Sequence, residues 1–167
     1  MATRPLSPRL AVYTGTFDPV HLGHLDIIVR GSHLFDRLIV GVGNNPDKTT
    51  LFSIEERVTL LRQVTGQLSS VEVQPFTGLA VDFVRAAGAR IMLRGLRTLS
   101  DMEYEFTMSL MNRNLDPGIE TVFLMANEQY SHISSSLLRQ IASLGGDLSK
   151  FLPVVVQEAL IVKIQRK

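Results

Sequence analysis

The chain predicts an α/β fold with a doubly wound parallel sheet, and three observations predict it. Short apolar, β-rich runs alternate with longer stretches at helical spacing. No repeat, low-complexity tract or interior linker divides the 167 residues, which suffice for one domain with a real core. The polar, motif-like stretches all follow predicted strands, at the rim where sheets of this class hold ligands.

The elements follow in order. Residues 1–8 are polar, carry two prolines and lack an apolar h-region, so they read as a flexible N-terminal leader, and residues 9–167 as the domain. "LAVY" (10–13) is a buried strand. After the turn "TGTFDPVHLGH", Leu22, Leu25, Ile28, Val29 and Ser32 recur at helical spacing. "RLIVGVG" (37–43) is the second strand and ends in the loop "NNPDKTT". Ser53 opens a helix as N-cap, with Glu56 three residues on completing a capping box. "SVEVQPF" is the third strand, and "LAVDFVRAAG" (79–88) a helix closed by Gly88. "ARIMLRG" (89–95) is the fourth strand, followed by a long helix over 99–115 that "DPG" stops. "ETVFLMA" is the last strand. The helices "SSSLLRQIASLG" and roughly 153–164 close a single Rossmann-like domain with five strands and helices on both faces.

Composition narrows the function. A formal charge of +1 gives no basic surplus, so nucleic acid is not an expected partner. Zero cysteines exclude a disulfide framework and a thiolate nucleophile. No apolar run reaches the roughly 18 residues of a membrane span, so no membrane partner is expected and the chain reads as cytoplasmic.

The first post-strand turn is neither a Walker A loop nor G-x-G-x-x-G. It still joins free helix N–H groups to two imidazoles, His21 and His24, which the spacing puts on one side of the first helical turn. Gly23 between them lets a base or phosphate approach closely. "RGLR" supplies the guanidinium forks of Arg94 and Arg97, and Lys48 ends the second loop. "ISSS" (133–136) places hydroxyls at a helix start, with Arg139 three residues later, as an N-cap that doubles as a phosphate cradle. On the 99–115 helix, Met102, Phe106 and Leu110 form one apolar stripe. Tyr104, Met108, Met111 and Leu115 form another on nearly the opposite side. Such a helix is expected to be buried twice, by its own core and by a subunit or an apolar ligand arm. Asp101, Glu105 and Asn112 form a polar strip between the stripes.

"GTFDP…GH", "RGLRTLSDMEYEFTMSLMNRNL", "YSHISSS" and "GGDLSKFLP" together resemble the bacterial phosphopantetheine adenylyltransferases, over nearly the whole chain. These belong to the nucleotidyltransferase superfamily with an H/T-x-G-H turn; the turn marks the superfamily, and the long "RGLR" stretch the member. The resemblance implies transfer of AMP from ATP to 4′-phosphopantetheine, giving dephospho-coenzyme A and pyrophosphate. It implies Mg²⁺ carried mainly by the ATP phosphates, with no protein metal ligands, and a homohexamer. By matching position, His24 is the transition-state stabiliser. Thr16, Lys48, Ala80, Arg94 and Asn112 are expected to bind the acceptor. Thr16, Phe17, His24, Gly95, Leu96, Arg97, Glu105, Tyr130, Ser131, His132, Ile133, Ser134, Ser135 and Ser136 are expected to bind ATP. Three positions depart from the family pattern: His21 stands where threonine is usual, His132 where phenylalanine is common, and Ala80 where a larger apolar residue is typical. The rival readings are a nicotinate mononucleotide adenylyltransferase, which shares the turn and the serine motif, and a non-catalytic nucleotide-binding module on the same fold.

Overall fold

The computed structural model describes residues 7–43 and 49–165. Its elements are β1 (Ser7–Gly15), α1 (Leu22–Leu34), β2 (Arg37–Val42), α2 (Ile54–Thr65), β3 (Val71–Pro75), α3 (Ala80–Ala86), β4 (Ala89–Leu96), α4 (Leu99–Leu115) and β5 (Glu120–Met125). A single 3₁₀ turn (Glu128–Tyr130), α5 (Ser135–Ser143) and α6 (Val154–Gln165) follow. The five strands are all parallel, in the order β3-β2-β1-β4-β5. The order reverses between β1 and β4, so the loops leaving those two strands diverge and open a crevice at the rim.

Side-chain alternation along β1 divides the core. Ala11 and Tyr13 join a cluster with Ile27 and Ile28 of α1, Leu61 of α2, Leu138 of α5 and Leu160 of α6. Leu10 and Val12 point the other way, into a smaller cluster with Val81 and Val84 of α3. The α4 helix lies on this second side, where the Asn112 amide reaches the Met92 sulfur at 3.6 Å.

Several bounds differ from the expectation. β1 begins at Ser7, two residues into the stretch read as leader, because the Ser7 N–H donates to the Gly88 carbonyl beside β4. α3 is shorter at both ends: Leu79 has extended backbone, and Gly88 sits at φ +75°, past the helix. Ser134 caps α5 from outside by accepting the Leu137 N–H. The Ser53–Glu56 capping box is present as expected.

The α4 helix matches its predicted span but not its predicted burial. Both apolar stripes are exposed, from Met108 at 38% to Tyr104 at 61%. The polar strip faces the chain instead, because Asp101 and Glu105 bind arginines that leave β4.

Arg57 is 1% exposed. From α2 its Nη1 donates to the Thr16 carbonyl at 2.8 Å and the Gly43 carbonyl at 2.9 Å, and its Nε to Ser53 O. Burial costs a cation heavily unless its donors are met, and here the carbonyls that meet them end β1 and β2. One guanidinium thus fixes where both strands release their loops. Arg57→Met should destabilise the chain by at least about 2 kcal/mol in urea unfolding, since it strands two carbonyls. A change within about 0.5 kcal/mol would contradict that role.

Candidate active site

The turn after β1 is built around a short left-handed step. Phe17 sits at φ 51°, which costs a β-carbon residue on the order of 1–3 kcal/mol. Its ring is 2% exposed and packs edge-on against Tyr13 at 5.4 Å and His24 at 4.9 Å. Gly15 permits this, because a β-carbon there would lie 2.8 Å from the Phe17 ring. Asp18, also buried, accepts the N–H groups of Leu51 and Phe52 and the Arg139 guanidinium. Arg139, expected to hold phosphate, thus has an internal partner here.

His21 lies just before α1, not within its first turn, and caps it. Its Nδ1 accepts the His24 N–H at 3.3 Å, while the His21 N–H donates to His24 Nδ1 at 3.2 Å. The rings stack with centroids 3.6 Å apart and planes 21° from parallel. An imidazole whose Nδ1 accepts a hydrogen bond carries its neutral proton on Nε2. Both histidines are therefore Nε2–H donors, and neither has a free nitrogen lone pair. Burial pushes the His21 imidazole down to about 3, with Arg97 adding to it. His24 is held well below its usual range by burial, by His21 and by Arg97 and Arg94. A β-carbon on Gly23 would come within 3.1 Å of the His21 ring, which is why glycine stands between them.

Two arginines continue the rim from β4. Arg94 forms a bidentate pair with Glu105, its Nε at 2.7 Å, and also donates to the Thr14 carbonyl. Burial opposes its charge, but the Glu105 bond and charge outweigh it and raise its proton affinity. Arg97 forks onto Asp101 at 2.9 and 3.1 Å and donates to the Ile133 carbonyl. That contact ties the loop after β4 to the segment after β5. Ser135 Oγ ties the same segment to the first turn by donating to Pro19 O at 2.8 Å. Tyr130 approaches Gly23, Ser131 Oγ donates to Glu128 O, and Ile133 is buried. His132 meets the Phe151 ring edge-on, and Phe151 O accepts the Leu22 N–H at the start of α1. Gly95 is constrained too: a β-carbon there would lie 3.0 Å from Ile27. Leu96 beside it is buried core.

The expected residues thus divide by side of the sheet. Phe17, His24, Arg97 and the 130–136 segment gather on the α1 and α5 side. Arg94 and Asn112 gather on the α4 side, and Ala80 opens α3 against the same smaller cluster. Glu105, expected with ATP, pairs with Arg94. Thr16 carries the carbonyl that Arg57 grips. Lys48 lies outside the described residues. Reading the sequence for ligand groups missed Arg57, Asp18 and Thr14. Arg57 was the traceable one, since it shares a helical stripe with Leu60, Leu61 and Thr65.

A cytidylyltransferase-like family model matches residues 12–141. The phosphopantetheine adenylyltransferase of Rhodopirellula baltica is 55% identical over 162 residues, covering 95% of this chain and 90% of that protein. The chain belongs to the phosphopantetheine adenylyltransferase family. The relative from Clostridium botulinum strain Eklund 17B is 55% identical over 87% of this chain and 91% of its own. That from Caldanaerobacter subterraneus is 50% identical over 95% and 99%. A Vibrio parahaemolyticus protein described as a candidate nicotinate-nucleotide adenylyltransferase superposes with a TM-score of 0.69 at 17% identity, covering 95% of each chain. That likeness is one of fold. Phosphopantetheine adenylyltransferase relatives so similar over nearly their whole length span every rim segment described above.

The buried His21 has a stability consequence. Its folded pKa, about 3, lies below the roughly 6.5 of an unfolded histidine, so the unfolded chain binds the extra proton. Its contribution is complete above about pH 6.5 and is lost as pH falls toward 3, by up to about 1.4 kcal/mol per pH unit. His21→Thr keeps a capping oxygen and removes this group. Urea unfolding between about pH 7.5 and 5 should therefore show a shallower fall for the variant than for the parent. Parallel falls would contradict a buried neutral His21.

Proposed function

We propose that this chain transfers the adenylyl group of ATP to 4′-phosphopantetheine, giving dephospho-coenzyme A and pyrophosphate. The observation that carries the reading is the pair of Nε2–H imidazoles beside two tethered guanidiniums, at the crevice of a phosphopantetheine adenylyltransferase fold. ATP would lie on the α1 and α5 side, against Phe17, His24, Arg97 and the 130–136 segment. The acceptor phosphate would meet Arg94, with Lys48 a second cation and Ala80 and Asn112 along its apolar arm.

In this reading a phosphate oxygen of the acceptor attacks the α-phosphorus of ATP directly. The bond to the bridging oxygen breaks, and pyrophosphate leaves with the electron pair. The groups at hand suit a single displacement. Both histidine Nδ1 lone pairs accept backbone N–H groups, and the hydroxyls of Ser134 and Ser135 are used in the cap and on Pro19 O. The residues supply alignment and charge instead, which is the larger part of phosphoryl-transfer catalysis. His24 Nε2–H would donate to an α-phosphate oxygen as charge builds there.

Magnesium would come with the ATP phosphates, whose charge it would screen. Asp18, Asp101 and Glu105 are each engaged by arginine or backbone N–H groups. Among the described residues no three metal-ligating side chains converge.

Incubation with Mg-ATP and either phosphopantetheine or nicotinate mononucleotide, followed by mass detection, should yield dephospho-coenzyme A and no dinucleotide. The reverse result would favour the rival enzyme, and no pyrophosphate from either would favour a binding module. An interaction that strengthens in the transition state acts on kcat more than on KM. His24→Ala should accordingly lower kcat by at least about 10²-fold with ATP affinity nearly kept. A variant that lost ATP affinity and kept kcat would contradict that role.

The exposed apolar stripes of α4 also support assembly. We propose that they are subunit contacts of a homohexamer in the cytoplasm. Light scattering at micromolar concentration should give six times the 18.6 kDa chain mass; a monomer would overturn it.

A further inference from the structure

We propose that His21 is a positioning residue whose ring, stacked on His24 and tied to it through the helix cap, holds His24 as a neutral Nε2–H donor. Its catalytic consequence rests on the adenylyl-transfer reading; its geometry does not.

Charging His24 means placing a proton on Nδ1. The His21 N–H already points at that nitrogen from 3.2 Å, so a second proton there would set donor against donor. This backbone effect exists whatever residue stands at 21. The imidazole ring adds what a threonine lacks. It covers one face of His24 at 3.6 Å and keeps water from it, while Phe17 meets another side at 4.9 Å. The charges facing His24 are Arg94 and Arg97 from β4 and, when protonated, His21 itself; all three oppose a cation there. Glu105 and Asp101 of α4 are engaged with those arginines. From the segment after β5, Tyr130 brings its Cβ up to Gly23.

The stack bears on the chemistry. Two phosphate-bearing reactants create a field that favours protonating any nearby imidazole. An imidazolium would grip the ground-state phosphates strongly and gain less as charge develops. A neutral donor gains more on the way to the transition state. His21 counters the recharging that the substrates invite.

The decisive experiment records the ring nitrogen-15 resonances of the four histidines in the full chain, without substrate, from about pH 8 down to the onset of acid unfolding. The parent, His21→Thr and His21→Phe are compared, alongside pH profiles of kcat with Mg-ATP and phosphopantetheine. The parent should show His24 as the Nε2–H tautomer, still neutral at about pH 6. His21→Thr keeps a cap acceptor and loses the ring. Its His24 midpoint should rise by about one pH unit, and the acid limb of kcat should move with it. His21→Phe restores a ring and should bring both back toward the parent. Equal His24 midpoints in the parent and His21→Thr would overturn the proposal. So would an Nδ1–H tautomer or an imidazolium in the parent at neutral pH, an outcome that needs no variant to fold. If no chain makes dephospho-coenzyme A, the functional reading fails, while the ring resonances still decide the role of His21.

Discussion

Two backbone-to-imidazole hydrogen bonds at the start of α1 carry the rest of the site. They satisfy two N–H groups that a helix leaves open at its N-terminus. In doing so they occupy both Nδ1 atoms and turn the histidines into fixed donors. Much of the surrounding structure serves to hold this turn. Arg57 grips its first carbonyl, Asp18 pins it to the approach to α2, Ser135 holds Pro19, and Phe151 receives the first N–H of α1. The left-handed Phe17 persists because its ring is packed between Tyr13 and His24.

The same rim solves a charge problem. Two arginines at a crevice would repel one another and pay for desolvation unless neutralised. Glu105 and Asp101, on one face of α4, supply that compensation while fixing the guanidinium planes. This explains how a chain of net charge +1 holds cationic groups at its rim without a basic surplus. It also explains the odd amphipathicity of α4: its chain-facing strip is polar because it must bind arginines, which leaves the apolar residues outside.

Most of the fold was legible because its signals were local. Apolar runs marked the strands, the Ser53–Glu56 box marked α2, and the span of α4 read off its flanks. That the polar segments leave the ends of strands followed from sheet class alone. What escaped was non-local or chemically unusual. Histidine is an uncommon N-cap, so His21 read as helix and not as the residue before it. Its bond to His24 is a matter of atoms, which spacing does not show. Arg57 sits where an aliphatic residue would sit, and its acceptors lie 14 and 41 residues away. Ser7 joined β1 only because β4 offered it a partner, and the burial of α4 was inverted because stripes were read without the arginines they flank. Glu105 was expected beside ATP, and its partnership with Arg94 was visible only once α4 was laid over β4.

A single displacement at phosphorus, with imidazoles that donate and do not attack, has a stereochemical signature. ATP made chiral at the α-phosphorus by one sulfur substitution is used as donor, and the configuration of the dephospho-coenzyme A analogue is read by phosphorus NMR. One in-line displacement inverts that centre, and inversion is the predicted result. Retention would mean two displacements through an adenylyl-enzyme and would contradict the account.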